Sequence, residues 1–141
     1  MSIKYNDELK ALPCEQLYRL FWQAGWTDGP EAPDMSEHHN AHFSAPFINS
    51  TLVVSAWDGE RLVGVVRVLS DGIIRSIIYD LVIDTAYRGL GIGTELVRRC
   101  RERFPHSEWL VQTTEDTGGY YEKLGFKVND EVFLSIPSIY Q

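Results

Sequence analysis

The chain has 141 residues, of which 44% are hydrophobic, and it carries a formal net charge of −7 at pH 7. This length and composition suit one globular domain over residues 1–141. The negative charge disfavours a nucleic-acid partner, no apolar run is long enough to span a membrane, and the N-terminus lacks a signal-peptide pattern. We therefore expect a cytoplasmic protein that binds neither nucleic acid nor membrane.

The N-terminal third is predicted to be mainly helical. Ile3–Tyr5 is a short candidate strand, and Pro13–Gly25 has apolar residues at helical spacing. The proline suits the first turn of this helix, and the glycine suits its end. A loop over residues 26–34 is expected to lead into a second helix from about Met35 to Phe43.

From residue 51 the pattern becomes that of strands. Thr51–Trp57 and Arg61–Leu69 flank Asp58-Gly59, which is typical of a hairpin turn. A turn at Ser70-Asp71-Gly72 leads into a long strand, Ile73–Ile83. The remaining predicted elements are a helix, a strand, a second helix and a strand pair: Thr94–Phe104, Trp109–Thr113, a helix ending at Gly125, and Lys127–Val128 with Val132–Ile136. This order predicts a mixed α/β sheet, antiparallel first and parallel around the crossover helix.

The most informative segment is Arg88-Gly89-Leu90-Gly91-Ile92-Gly93-Thr94, which joins the long strand to the next helix. Glycines let the backbone approach a phosphate, the helix N-terminus adds positive partial charge, and an arginine can donate two hydrogen bonds to a diphosphate. The dinucleotide fingerprint does not fit, because Thr94 and Leu96 stand where its third glycine belongs, and the Walker loop does not fit for want of its lysine.

What remains is R-x-x-G-x-G, which resembles the acyl-CoA pyrophosphate loop of the GNAT superfamily of N-acetyltransferases. A second segment, Tyr120-Tyr121-Glu122-Lys123-Leu124-Gly125-Phe126, resembles the Y-E-K-L-G-F ending of the last conserved helix of the same superfamily. The resemblance covers about residues 51–136. It implies an α/β fold of the GNAT type: a mixed, mostly antiparallel central sheet flanked by helices, with an acyl-CoA cleft between two splayed parallel strands.

The resemblance also implies where acetyl-CoA would bind. The long strand would run beside the pantetheine arm, and a bulge would splay it from the next strand. The glycine segment would cradle the pyrophosphate, and a threonine would stand where many members have an asparagine that binds the arm. The residues concerned are Leu81, Val82, Ile83, Arg88, Gly89, Leu90, Gly91, Ile92, Gly93, Thr94 and Thr114.

The implied reaction moves an acetyl group from acetyl-CoA to a primary amine by direct attack in a ternary complex. Tyr121 matches the tyrosine that serves many family members as general acid to the CoA sulfur. A phenol with a pKa near ~10 is protonated at neutral pH and can donate to the thiolate. The alternative for Tyr121 is a packing role, and Tyr120 is expected to be structural.

The general base is less clearly indicated. Asp80 lies within a buried strand, where a charge needs a reason, and it either accepts backbone hydrogen bonds or faces the cleft. Asp71 sits in a turn, a common place for aspartate, but similar small family members would place it at the amine site. Glu115 and Asp116 are third choices.

We expect no metal. His38 and His42 are spaced like a metal pair on a helix, but the H-E-x-x-H order is absent and no cysteine partner is evident. This helix is more simply explained as a wall of the substrate cleft.

The resemblance implies a small-molecule amine as the partner, such as an arylalkylamine or a polyamine, and the negative net charge is compatible with a cationic ligand. A homodimer is compatible with a domain of this size. The alternative function is a non-catalytic acyl-CoA binding or sensing module, against which Tyr121 argues, because a sensor needs the loop but not the acid.

Overall fold

The computed structural model describes residues 2–27 and 43–139. Most of the loop predicted from residue 26 and of the helix predicted over Met35–Phe43 lies outside the described residues. The elements follow in the order β1 (Ile3–Asn6), α1 (Cys14–Gln23), α2 (Ala45–Ile48), β2 (Leu52–Asp58), β3 (Arg61–Ser70), β4 (Arg75–Ile83), a 3₁₀ helix (Thr85–Tyr87), α3 (Ile92–Arg103), β5 (Glu108–Val111) and α4 (Glu115–Lys123).

The strands form one five-stranded sheet in the order β1-β2-β3-β4-β5. The first three pairings are antiparallel, and β4 pairs with β5 in parallel. Parallel neighbours need a crossover between them, which α3 supplies. The predicted mixed, mostly antiparallel sheet flanked by helices is therefore confirmed.

The central hairpin forms where its turn sequence predicts. β2 ends at Asp58 and β3 begins at Arg61, so Gly59 and Glu60 are the two connecting residues. Gly59 has φ +59°, a conformation that glycine adopts without a steric penalty. The next turn extends further than predicted, because the Asp71 carboxylate accepts hydrogen bonds from the backbone of Ile73 and Ile74. For this reason β4 begins at Arg75 and not at Ile73.

The core has two layers, one on each face of the sheet. Alternate residues of β2 and β3 point to opposite faces, so Val54 and Val66 pack with Leu96 of α3, while Val53 and Val65 pack with α1 and α2. Burial on both faces explains why these strands read as nearly continuous apolar runs. The layer on the α3 face, which we call the α3 layer, packs the helix that follows the glycine segment against β2, β3 and β4.

The C-terminal strand pair predicted at 127–128 and 132–136 is not present, which corrects the sequence prediction. No strand is assigned to residues 124–139, and Val128, Phe133 and Ile136 are 78%, 72% and 96% exposed. An alternating apolar pattern gives a segment the capacity to form a strand, but a strand also needs a neighbour to pair with. This segment lies off the sheet, so its backbone forms no ladder.

We predict that Gly64→Val destabilises the fold by about 1–3 kcal/mol, because the α3 layer has no room for a larger side chain there. A Cβ at Gly64 would lie 3.1 Å from both Ile83 Cδ1 and Ile92 Cγ2 and 3.3 Å from Leu96 Cδ1. Urea unfolding followed by circular dichroism measures the change.

The matched control is Gly119→Ala in α4, where a Cβ would meet nothing within 4 Å. It should stabilise the protein by about 0.5–1 kcal/mol through helix propensity. A Gly64→Val protein that unfolds at the same urea concentration as the wild type would contradict the packing described here.

Candidate active site

The central feature of the site is a gap between β4 and β5. The two strands pair from Arg75 and Glu108 up to Ile78 and Val111. There β5 ends, while β4 continues to Ile83. The second half of β4 therefore has no β5 neighbour, and its backbone groups on that side can pair with an extended ligand as with an added strand.

A bulge in β4 coincides with this gap. On β3, Arg67 pairs with Asp80 and the next residue, Val68, pairs with Ile78. Tyr79 is thus the extra residue, and a bulge of this kind bends a strand away from its neighbour. The bulge therefore falls where the predicted cleft between two splayed parallel strands is expected, and Leu81, Val82 and Ile83 lie in the half of β4 that has no β5 partner.

The glycine segment lies directly after β4. Gly89 and Gly91 both have φ +81°, a left-handed conformation that other residues rarely adopt, and Gly91 caps α3. The first helical bond of α3 runs from Glu95 N to Gly91 O. The amide groups of Ile92 to Thr94 consequently point out of the helix end, where they and the helix dipole favour an anion. Arg88 is exposed beside them.

Gly93 is needed for a different reason. A Cβ at Gly93 would overlap the hydroxyl of Tyr120, which reaches from α4 to the N-terminal turn of α3. Burial raises the pKa of Tyr120, while a hydrogen bond with the Thr94 side chain acts in the opposite direction. The structure thus brings Tyr120 to the glycine segment, whereas the sequence predicts only a structural role for it.

Tyr121 lies beside Tyr120 in α4. Its ring packs edge-on against those of Tyr120 and Phe126, with centroids 5.2 Å and 5.7 Å apart. Burial, and to a smaller extent the neighbouring Tyr120, raises the pKa of Tyr121 to about 12. Its phenol therefore holds its proton well beyond neutral pH and is a hydrogen-bond donor to a developing anion.

Thr114 follows β5 and begins α4. Its carbonyl accepts hydrogen bonds from the amides of Thr117 and Gly118, and its hydroxyl lies 3.2 Å from that of Thr117. The side chain is exposed. It stands just past the end of the strand that forms the second side of the cleft.

The two candidate bases have different surroundings. The Asp80 carboxylate lies 2.5 Å from Arg67 Nε, and both side chains are mostly buried. The Arg67 guanidinium also lies over the rings of Phe47 and Tyr79. Asp80 therefore has an ion-pair partner, and it lies next to the bulge in β4.

The carboxylate of Asp71 is hydrogen-bonded within its own turn. Hydrogen bonds from the backbone of Ile73, Ile74 and Arg75 to the exposed carboxylate hold the pKa of Asp71 below its usual value. It also lies at the opposite end of β4 from Ile83, roughly 25 Å away along the strand. The structure does not bring Asp71 together with the glycine segment.

Several sequence candidates lie outside the described part of the structure. They include His38 and His42 and the side chains of Glu115 and Asp116. Within residues 2–27 and 43–139, no group of three or more histidine, cysteine or acidic side chains could hold a metal ion. None of the helices in these ranges is both long and apolar enough to cross a membrane.

A family comparison agrees with the geometry of the cleft and the glycine segment. The acetyltransferase (GNAT) domain profile matches residues 28–135. The chain belongs to the GNAT acetyltransferase family. Acetyltransferases of this family generally use acetyl-CoA, and the family match supports the enzyme class predicted from the sequence, an N-acetyltransferase.

Solved structures show the same fold. A GNAT-family acetyltransferase of Streptococcus pneumoniae TIGR4 is 23% identical, with 98% of this chain and 99% of that chain covered and a TM-score of 0.75. A proposed acetyltransferase of Deinococcus radiodurans R1 is 26% identical, with 96% and 94% covered and a TM-score of 0.75.

A third solved structure is an aminoglycoside acetyltransferase from an uncultured soil metagenomic sample in complex with sisomicin. It is 22% identical, with 97% of this chain and 96% of that chain covered and a TM-score of 0.67. No curated protein is significantly similar to the chain in sequence.

In this GNAT acetyltransferase, sequence analysis missed two features of the site. The approach of Tyr120 to Gly93 depends on how α4 packs on α3, for which the sequence has no signal beyond two adjacent tyrosines. The pairing of Asp80 with Arg67 could have been inferred, because a charge predicted in a buried strand requires a partner of opposite charge.

We predict that Gly93→Ala destabilises the protein by about 1–3 kcal/mol, because the new methyl group would overlap the Tyr120 hydroxyl. Adding Tyr120→Phe should restore most of the loss, since the next nearest ring atom, Cζ, would lie 3.4 Å from the new Cβ. Thermal unfolding of the two single variants and the double variant measures the coupling. Additive effects in this cycle would contradict the contact.

Proposed function

We propose that this protein is an acetyl-CoA-dependent N-acetyltransferase that moves the acetyl group to a primary amine by direct attack in a ternary complex, with residues 1–141 as one domain. The observation that carries the proposal is the gap between β4 and β5, with the glycine segment at the end of β4. An edge that can pair with amide groups and a helix end that favours an anion together suit a ligand with an amide-containing arm and a diphosphate.

Acetyl-CoA binding is assigned to the backbone more than to side chains. The pantetheine arm would lie along Leu81, Val82 and Ile83, and the diphosphate would meet the amides of Gly91 to Thr94. Arg88 would add a charged donor. A backbone amide near the bulge would polarise the thioester carbonyl and stabilise the oxyanion that forms upon attack. Thr114 would supply one hydrogen bond from the β5 side.

Tyr121 is our candidate for the general acid. Burial raises the pKa of Tyr121 to about 12, so the phenol is protonated at neutral pH. The CoA thiolate leaves as the amine attacks, and a proton from Tyr121 would neutralise it. Tyr120 would act beside it, as a hydroxyl that fixes the position of α4 against the glycine segment.

Asp80 is the preferred candidate for the group that accepts the proton of the amine, either directly or through water. It lies in the splayed half of β4, whereas Asp71 lies at the far end of that strand with its carboxylate bound to the turn. The ion pair with Arg67 holds the Asp80 carboxylate in place at the bulge.

The acceptor is proposed to be a small-molecule amine. The net charge of −7 favours a cationic ligand, which fits the arylalkylamines and polyamines expected from the sequence. The metagenomic relative in complex with sisomicin adds aminoglycosides to the amines worth testing.

We also propose that the protein forms a homodimer. The exposed apolar side chains of residues 128–139 are a surface of the kind that proteins use for association. Two copies that cover these segments would remove that surface from water.

We predict that Tyr121→Phe lowers kcat about 10²–10⁴-fold with acetyl-CoA binding unchanged, because the variant loses a proton donor and keeps its ring. The measurement is CoA thiol release with a panel of arylalkylamines, polyamines and aminoglycosides, with calorimetric titration of CoA. Tyr120→Phe is the matched comparison: it removes the hydroxyl that contacts the glycine segment but keeps the candidate acid, so it should lower kcat much less than Tyr121→Phe does.

Equal loss of CoA binding and turnover in Tyr121→Phe would contradict the acid role. If the wild type binds CoA but releases none with any amine, the non-catalytic acyl-CoA binding module becomes the better description. Saturation with CoA at 100 times the dissociation constant should stabilise the protein by about 2.7 kcal/mol in either case.

The pH dependence of kcat offers a separate prediction. Deprotonation removes the donor, so activity should fall only as the pH rises through the pKa of Tyr121, which burial raises to about 12. With an acceptor whose own pKa lies below ~8, we expect kcat to stay level up to about pH 10.5, after correction for thioester hydrolysis. A fall centred near pH ~10 would instead indicate an ordinary tyrosine.

A further inference from the structure

The first four residues of the glycine segment, 88–91, lie on the surface, whereas Ile92 is already part of the core. Residues 88–91 are exposed, and a Cβ at Gly89 or at Gly91 would meet nothing within 4 Å. A loop without side-chain contacts is placed by the elements on either side of it. On one side is α3, which is held in the core, and on the other is the 3₁₀ helix Thr85–Tyr87.

Asp84, just before the 3₁₀ helix, is only 1% exposed. Its Oδ1 accepts a hydrogen bond from the amide of Ala86 at 2.9 Å, and its Oδ2 lies 2.8 Å from Arg61 Nη2. Its own amide donates to Val63 O at 2.8 Å. A buried carboxylate with this set of partners fixes the direction in which the chain leaves β4.

The other end of the 3₁₀ helix has a second attachment. The Tyr87 hydroxyl donates to Asp58 Oδ2 at 2.5 Å, and the Tyr87 amide donates to Asp84 O at 2.9 Å. Asp58 is the last residue of β2, and Arg61 is the first of β3. Both ends of the 3₁₀ helix are therefore tied to the same hairpin.

The hairpin is itself anchored to α1. Gln16 donates from its side chain to Glu60 O at 3.1 Å and accepts from the amide of Leu62 at 2.7 Å. Arg19 donates to Leu62 O at 2.5 Å. These bonds make the hairpin turn a fixed support and not a free loop tip.

We propose that Asp84 and Tyr87, held by Arg61 and Asp58, are positioning residues that keep the glycine segment in its diphosphate-binding conformation. We call these four residues the hairpin clasp. This inference rests on the proposed function, since it assigns the clasp to acetyl-CoA binding. A loop ordered before the ligand arrives loses less conformational entropy upon binding, so the clasp strengthens binding without touching the ligand.

The test uses Tyr87→Phe, Asp84→Asn, Arg61→Met and the conservative Arg61→Lys. In Tyr87→Phe and Arg61→Met we expect the KM and Kd for acetyl-CoA to rise about 5–10-fold, with kcat at saturating acetyl-CoA within about twofold of wild type. Arg61→Lys keeps the charge and should recover most of the affinity. The control is Arg75→Met, which breaks an exposed ion pair with Glu108 at the opposite end of β4 and should change neither constant.

A second readout needs no ligand. Backbone ¹⁵N relaxation at Gly89 and Gly91 should show larger fast motions in Tyr87→Phe than in the wild type or in Arg75→Met. If Asp84→Asn fails to fold, Tyr87→Phe still tests the clasp, because it removes one oxygen at a partly buried position.

The outcomes are separable. Lower kcat with unchanged KM would mean only loss of folded enzyme, and it would overturn the inference. So would unchanged relaxation in Tyr87→Phe, or equal effects of Arg75→Met. If the wild type binds no acetyl-CoA, the proposed function fails and the clasp loses its assigned ligand. The relaxation data would then show whether the four residues order the glycine segment at all.

Discussion

The site depends on a single interruption of the sheet. Up to Ile78 and Val111, β4 and β5 are ordinary parallel neighbours, and from Tyr79 onward β4 continues with β3 on one side and without β5 on the other. A sheet that stayed paired to its end would have no backbone groups available and no space between the strands. The bulge at Tyr79 falls at this interruption, and the half of β4 beyond it leads directly to the glycine segment.

Three aspartates along β4 help to hold this interrupted strand in place. Each of the three carboxylates is already engaged: Asp71 with turn amides, Asp80 with Arg67, and Asp84 with Arg61 and Ala86. They hold the two ends and the bulge of one strand in place. The groups left for the acyl donor are hydrogen-bond donors: backbone amides, tyrosine hydroxyls and the exposed Arg88 guanidinium. These suit a large anionic cofactor with an amide-containing arm, because they donate hydrogen bonds without adding negative charge.

Local signals in the sequence were sufficient for most of the fold. Asp58-Gly59 predicts the hairpin because two-residue turns have strong residue requirements, and the glycine segment predicts a strand-to-helix connection for the same reason. Both signals act over a few residues. The C-terminal strands failed as a prediction because Val132–Ile136 has the right pattern but depends on a distant neighbour that the pattern does not specify. The clasp was missed on the same grounds: Tyr87 and Asp58 are 29 residues apart.

Tyr120 and Tyr121 connect α4, which carries the candidate acid, with the glycine segment at the start of α3. Helix α4 has two glycines among its nine residues and no side-chain cap at its N-terminus, so its intrinsic stability is low. What holds it is tertiary contact: Tyr120 against Gly93, and Leu124 and Phe126, which follow the helix, against the core layer that contains α3. The helix that carries the candidate acid is thus fixed on one side by the N-terminal turn of α3. A ligand that orders that turn would also order the tyrosines, so that binding of the diphosphate would help to place the proton donor Tyr121, which lies 28 residues after Gly93.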